Sequence, residues 1–322
     1  MCLCTLFRNF ARKTHCIMKK IVTCLLASLG LTTACAQQPA TKTFETDVFK
    51  TKSGKPVTFH ALMHSCIRIE FDGKEIEIDP VAKMRDRVVD YSQMPKADYI
   101  FVTHEHGDHY DPSAIRLLSA EKTKLVMNKR CTDMFGSGLT MANGQNFLID
   151  DIKVEAVPAY NTTEGRQQFH PKGRDNGYIL TLDGLRIYIA GDTEDIPEMA
   201  DIKDIDIAFL PCNQPYTMTP EQLIKAAKTI KPKVLFPYHY GQTDVSTIPS
   251  SLKSEGIDVR IRHYESAKLP AFHPPPARSN KSPDPDLHLH SPPPRRGNNA
   301  QNKSEALTSH KYFASFCGPD RA

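Results

Sequence analysis

The sequence predicts an α/β protein, a four-layer αββα sandwich in which two β-sheets lie face to face with helices on both outer surfaces. Three observations predict it. Short apolar or alternating runs of strand length dominate residues 43–265. Helical patterns fall between those runs in both halves of the chain. The composition, 40% hydrophobic and 24% charged, is that of a globular protein and excludes wholesale disorder.

In chain order, residues 58–71 (TFHALMHSCIRIEF) read as one strand and residues 74–80 (KEIEIDP) as the next. Asp72-Gly73 between them is a tight-turn pair, so the two form a hairpin. Residues 97–103 (ADYIFVT) form a short buried strand, residues 112–120 a helix with Ile115, Leu117 and Leu118 on its apolar face, and residues 123–127 a further strand. The second half repeats the style. Two strands flank Asp150-Asp151 within residues 145–158, and residues 177–190 make a hairpin turning at Asp183-Gly184. Residues 206–210 are a strand. Thr219-Pro220-Glu221 caps and starts a helix running to residue 229. A strand at 233–240, a short helix at 249–255 and a last strand at 258–262 complete the pattern. No short-period repeat is visible.

Charge is unevenly placed. Residues 1–36 hold five Lys/Arg and no acid, and residues 268–322 hold eight Lys/Arg against four acids. Residues 37–267 hold 28 basic and 33 acidic residues, so the formal charge of +4 belongs to the two ends. A core of net charge −5 has no footprint for a phosphate backbone, and no nucleic-acid partner is expected.

The ends read as appendages. Met18-Lys19-Lys20 opens a positive stretch, residues 21–31 are an apolar run of signal-peptide length, and Ala34-Cys35-Ala36 offers a small-residue cleavage site. The expectation is an exported, periplasmic protein whose signal starts at Met18, with residues 1–17 an upstream extension. A lipid anchor at Cys35 is the alternative, and the one route to a membrane, since no apolar run reaches the ~18 residues a spanning helix needs. Residues 268–322 carry two Pro triplets and few aliphatic residues, and read as a disordered tail beyond a domain spanning 37–267. Nine Cys reduce to Cys66, Cys131 and Cys212 in that domain. None forms a CxxC pair, and buried structural thiols are expected.

Chemistry concentrates at Thr103-His104-Glu105-His106-Gly107-Asp108-His109, directly after an apolar strand. On an extended backbone both imidazoles of an HxH pair point the same way. A bend at Gly107 would bring Asp108 and His109 to the same space. Neutral nitrogen and hard oxygen donors of this kind suit one or two borderline metal ions. Ala190-Gly191-Asp192-Thr193 and Tyr238-His239-Tyr240 also end apolar strands, and could add a bridging carboxylate and a further imidazole.

This pattern resembles the metallo-β-lactamase superfamily: His104-x-His106-x-Asp108-His109, then Asp192, then His239, in the superfamily's order. His64-Ser65-Cys66, Asp79-Pro80, Ala159-Tyr160-Asn161, His170-Pro171-Lys172-Gly173 and Leu210-Pro211-Cys212-Asn213 extend the resemblance to the branch of metal-dependent hydrolases related to ascorbate-6-phosphate lactonase. The resemblance implies that His104 and His106 hold one ion, that Asp108, His109 and His239 hold a second, and that Asp192 bridges. The superfamily supplies the first ion with another His where this chain has Asn161. His64 and His170 are the candidates to replace it, and the early His motif favours His64. Asn161 and His170 are also candidate substrate contacts. Lys172 and Arg174 could meet an anionic group, and Asn213, Tyr216 and Tyr240 lie near the same motifs.

Such a ligand set implies one or two divalent ions, zinc first and Mn, Fe or Ni as alternatives. They would lower the pKa of a bound water from ~15.7 toward ~7. Asp108 would orient the nucleophile and take its proton. The function expected is a metal-dependent hydrolase of a small ester, lactone or phosphoester. A phosphodiesterase acting on nucleotides or phospholipids and a non-catalytic exported metal-binding protein are the alternatives.

Overall fold

Alternating side chains at residues 45–78 fold into four antiparallel strands, β1 (Glu45–Lys50), β2 (Pro56–Met63), β3 (Cys66–Phe71) and β4 (Lys74–Ile78). The computed structural model describes residues 44–85 and 87–264. The signal segment with Cys35 and the Pro-rich tail read from the sequence lie outside the described residues. The run read as one strand over 58–71 is two strands. Alternation continues across the break, but His64 takes φ 52° and turns the chain with Ser65. Asp72-Gly73 makes the expected second turn, both residues at positive φ.

A two-residue-per-strand hairpin, β5 (Lys83–Met84) with β6 (Arg87–Val88), precedes β7 (Tyr99–Val102). β7 joins β4 in parallel, and β8 (Lys124–Met127) and β9 (Leu139–Thr140) continue in parallel. Helix α1 (Pro112–Leu118) starts on an Asp111 cap with Pro at its first turn. Helix α2 (Lys129–Phe135), not predicted, buries only Cys131. Its seven residues hold too few apolar positions to show a helical period.

The second half repeats this plan. β10 (Asn146–Ile149), β11 (Ile152–Ala159), β12 (Asp175–Leu182) and β13 (Leu185–Ile189) are antiparallel. β14 (Ile207–Pro211), β15 (Val234–Tyr238) and β16 (Asp258–Val259) then add in parallel. Helix α3 (Pro220–Ile230) carries a full capping box, with Thr219 and Gln222 satisfying each other's backbone N–H groups. Helix α4 (Ile248–Leu252) is shorter than the segment predicted. Each sheet thus has seven strands, four antiparallel followed by three parallel.

Period-two alternation assigns the layers. Tyr99 and Phe101 of β7 face the other sheet, in a core with Ile69, Ile76, Tyr178, Leu180, Phe209 and Phe236. Ile100 and Val102 face α1 and α2 with Ala114, Ile115, Leu118 and Cys131. On the far side Tyr188, Ala208, Leu210 and Leu235 meet Leu223, Ala226 and Ile230 of α3 and Ile248 of α4. The αββα order is therefore the observed one. Each fully buried aliphatic or aromatic side chain contributes on the order of 1.5–3 kcal/mol. Cys66, Cys131 and Cys212 are free and buried, as expected. Among the described residues no helix is long and apolar enough to cross a membrane.

One group in the helix-facing layer is out of character. Glu77 of β4 is 1% exposed, and neither carboxylate oxygen has a hydrogen-bond partner. Burial pushes its pKa up to about 8, with Arg68, 4.0 Å away, opposing. The folded chain therefore keeps a proton that the unfolded chain releases above its ordinary pKa near 4.5. Glu77 costs nothing below that value, and stability is lost as the pH climbs from there through about 8. Thermal unfolding followed from pH 5 to pH 9 should show this decline in the wild type and a shallower one in Glu77→Gln. The variant should be more stable at pH 9 by about 5 °C or more.

Candidate metal centre

The parallel strands β7, β13 and β15 all end at one rim, and the turn between β2 and β3 reaches the same rim. Chains leaving the carboxyl ends of parallel strands commonly build a site there. His104 and His106 follow β7, Asp192 follows β13, His239 follows β15 and His64 sits in the β2–β3 turn. The His239 N–H donates to the His64 carbonyl at 3.2 Å, tying two of these ends together.

The bend after His106 is closed by backbone N–H groups of His109 and Tyr110, both donating to the His106 carbonyl at 2.9 and 2.8 Å. Gly107 takes no positive φ and a Cβ there would meet open space, so the bend expected at this glycine does not depend on it. Gly191 is different. It sits at φ 66°, and a Cβ would stand 2.8 Å from the Asn176 carbonyl, so only glycine lets Asp192 approach this closely.

Among the described residues, ligand-type atoms converge in three groups, two of which share Asp192. His104, His106, His170 and Asp192 form one, with donor atoms all within 4.8 Å of one another. His170 Nε2 is 3.4 Å and His104 Nε2 3.8 Å from Asp192 Oδ2. His109, His239 and Asp192 form a second group, and His64, Asp108 and His239 a third. His109 Nε2 is 3.3 Å from Asp192 Oδ1, and His239 Nε2 lies 3.4 Å from both Asp192 Oδ2 and Asp108 Oδ2.

The surrounding hydrogen bonds choose the tautomers. Asp79 accepts the Thr103 N–H at 2.7 Å and its hydroxyl at 2.8 Å. With its proton so committed, Thr103 Oγ1 accepts from His104 Nδ1 at 3.0 Å. His109 Nδ1 donates to Asp79 at 2.8 Å, and His170 Nδ1 to Asp175 at 3.0 Å. Three imidazoles therefore turn Nε2 inward, the arrangement in which a carboxylate or hydroxyl behind the ring orients a metal ligand. Arg174 holds Asp175 in place at 2.6 Å.

These residues fit a cation. His109 Nε2, Asp192 Oδ1 and His239 Nε2 are buried without a hydrogen-bond partner. His104 Nε2 and His106 Nδ1 face each other at 3.1 Å, where two lone pairs repel unless a proton or cation lies between them. Burial, then the charge of His109, holds His104 well below the ordinary imidazole range; burial and His170 lower His106. Burial and His239 push His64 down to about 4. Burial opposes ionisation of both carboxylates and is outweighed: His239 and His109 hold Asp192 well below its usual range, and His109, His239 and His64 do the same for Asp108. Burial also opposes charge on His109, but Asp192, Asp79 and Asp108 raise it. Neutral His64, His104 and His106 with ionised Asp108 and Asp192 are the donor states a divalent ion requires, while His109 would give up its proton to one.

The cluster forms the floor of a cavity of about 860 Å³. The sequence reading favoured His64 as the partner of His104 and His106. The structure instead puts His170 there, 4.9 and 4.8 Å from them ring to ring. His64 lies on the opposite side, its Nε2 3.3 Å from Asp108 and its ring 3.7 Å from that of His239. The swap is a matter of topology: the loop from β11 to β12 folds back over the β7 end, with the Asn161 N–H donating to the His170 carbonyl at 2.9 Å.

Other candidates move away from the cavity. Asn161 does not line it; it is buried, and its amide donates to the Tyr216 carbonyl at 2.7 Å. Lys172 pairs with Glu198 at 2.7 Å, and Arg174 with Asp175 and Glu105. Asn213 and Tyr216 do line the cavity, and Tyr240 borders a smaller one beside it. His60 and His263 pair with Glu70 and Glu45 instead. Asp175, Arg85 and Arg87 were missed. Asp175 lies beside an arginine just before the hairpin predicted at 177–190, and Arg85 and Arg87 belong to a hairpin too short for any periodicity.

Residues 58–239 match the family profile described as the beta-lactamase superfamily domain. The chain is 32% identical over 191 residues to a UPF0173 metal-dependent hydrolase of Thermococcus kodakarensis, covering 56% of this chain and 82% of that one. It is 30% identical over 227 residues to a UPF0173 metal-dependent hydrolase of Anoxybacillus flavithermus, covering 66% and 99%. A solved structure from Parabacteroides distasonis, described as a candidate metal-dependent hydrolase, shares 52% identity at a TM-score of 0.66 over 70% of this chain and 100% of that one. Igni18, a metallo hydrolase of Ignicoccus hospitalis, shares 25% at 0.55 over 69% and 97%.

Asp79→Ala removes the acceptor behind His109. In competition titrations with a chromophoric chelator, it should weaken divalent-ion binding by about 10- to 100-fold, with circular dichroism unchanged. His170→Ala should weaken binding comparably, while His263→Ala should leave it at the wild-type value.

Proposed function

We propose that this chain, which belongs to the metallo-β-lactamase superfamily and within it to the UPF0173 metal-dependent hydrolases, cleaves a small ester, lactone or phosphoester with the help of two divalent ions sharing Asp192. What carries the reading is the arrangement of donors around that one carboxylate at the floor of the cavity. His104, His106 and His170 would hold one ion; Asp108, His109 and His239 the other, with His64 beside them. Histidine-rich nitrogen donors with carboxylate oxygens suit zinc, or Mn, Fe or Ni, better than Mg or Ca. When bound, the ions supply Lewis acidity toward the electrophile's oxygen and bring the pKa of water toward ~7.

The chain's own residues do the rest. Asp108 is the most exposed carboxylate of the cluster, its side chain 35% exposed against 3% for Asp192 and none for Asp79. It is therefore the group placed to accept a proton from an attacking water. His64 Nε2, at 3.3 Å, fixes its carboxylate. Asp192 stays ionised and fixed behind it, with Asp79 and Thr103 preventing rotation of His109 and His104. Phe169 and Tyr216, rings 5.1 Å apart, form an apolar shelf on the cavity wall against which a leaving group can rest. The motifs at His64, Asp79 and Asn213 support, as a finer reading, kinship with ascorbate-6-phosphate lactonase.

The test is turnover of simple aryl esters, lactones and bis-aryl phosphates by the metal-reconstituted protein. Activity should vanish with a chelator and return with zinc or manganese. Asp108→Ala should lower kcat by about 10²–10⁴-fold with the fold intact. No turnover across that panel by protein carrying stoichiometric metal would overturn the reading.

A further inference from the structure

We infer that Arg85 and Arg87, on the β5–β6 hairpin, form an anion-recognition site, and that the substrate carries a carboxylate or phosphate group remote from the bond that is cleaved. The inference rests on the hydrolase reading above and adds the substrate's charge to it.

Three observations lead there. Both arginines line the cavity above the histidine cluster, as does Met84. Among the described residues, seven arginines are paired with carboxylates: Arg68, Arg130, Arg166, Arg174, Arg186, Arg260 and Arg262. Arg85, Arg87 and Arg116 are not. Arg116 is accounted for, stacked over the Phe135 ring at 5.0 Å and bonded to the Pro112 carbonyl. Arg87 makes one long bond, 3.4 Å, to the Tyr264 carbonyl. The two arginines left without a carboxylate thus both border the cavity.

The backbone gives the second observation. Arg85 sits at φ 56°, at the tip of a two-residue turn. Such turns ordinarily carry Asn, Asp or Gly, because other side chains cost about 1–2 kcal/mol there. The turn holds a long cation at its tip despite that cost.

The third is the cavity's charge. Among the described residues its acids are Asp108 and Asp192, both turned to the histidine cluster on the floor. Among the described residues no acid pairs with the two guanidinium groups of the wall, and guanidinium matches carboxylate and phosphate oxygens two at a time. Lys172 and Arg174, the cations expected in this role, are engaged by protein carboxylates elsewhere.

The experiment compares three 4-nitrophenyl esters with the same reacting bond on the metal-reconstituted full chain. One has a neutral acyl chain, one ends in a carboxylate, and one ends in a phosphate. We expect kcat/KM for one or both anionic esters to exceed that of the neutral ester by about tenfold or more, through KM, the better of the two identifying the anion. Arg85→Gln/Arg87→Gln should bring the ratio to near one, Arg85→Lys/Arg87→Lys should restore part of it, and Arg116→Gln should keep the wild-type ratio. Equal turnover of neutral and anionic esters by the wild type, or a ratio that survives the double Gln change, overturns the inference and leaves the hydrolase reading standing. If none of the three esters is turned over, the hydrolase reading rests on the lactones and bis-aryl phosphates above, and binding decides the inference. Calorimetry with glutarate and inorganic phosphate supports it when the double Gln variant binds about tenfold more weakly, and overturns it when the two bind alike or neither binds.

Discussion

A carboxylate cannot be taken out of water without charge compensation, and Asp192 is 2% exposed. The rest of the site follows from meeting that requirement. Imidazoles from three separate stretches of chain converge on it: His104 and His109 after β7, His170 from the loop before β12, and His239 after β15. A cluster assembled this way concentrates donors that have no better partner than a cation. That explains why buried polar atoms which would be a defect elsewhere are tolerated here.

The architecture makes the convergence possible. Each half of the chain lays down four antiparallel strands and then three parallel ones. Stacking the sheets face to face brings the carboxyl ends of β7, β13 and β15 to one rim. The sheets are also joined at that point: the Tyr178 hydroxyl on one sheet donates to the Val102 carbonyl on the other at 3.0 Å, just before Thr103 and His104. The Asn176 N–H donates to the Thr103 carbonyl at 3.1 Å. The core between the sheets thus sets the distance between donors contributed by different halves, and an error there would move the ligands relative to one another.

Behind the donors stands a layer that fixes their direction. Asp79 receives Thr103 and His109, Asp175 receives His170, and Arg174 secures Asp175 while also meeting Glu105. In front stands the cavity, where chemistry and recognition divide: histidines and two acids on the floor, unpaired arginines and an aromatic shelf on the walls. The floor belongs to the family's shared chemistry. The hairpin of Arg85 and Arg87 is where a particular substrate would be selected.

Much of this was legible in the order of residues. Turn pairs such as Asp72-Gly73 and Asp183-Gly184, the Thr219 cap and the period-two runs are local signals, and each marks its element because the forces that form it act over a few residues. The HxHxDH segment, Asp192 and His239 were visible for the same reason, as polar residues ending apolar strands. Other features were not. β1 hides because its buried position is an acid, Asp47, compensated by Arg260 and Arg262 more than two hundred residues away. Between His64 and His170 the motif favoured the wrong ring, since each is a lone histidine whose partners lie far along the chain. Only sheet stacking decides which ring meets His104 and which meets Asp108. Nor could the sequence distinguish paired arginines from free ones. Whether a guanidinium faces a carboxylate or an open cavity is set by distances across the fold, and local patterning carries no record of them.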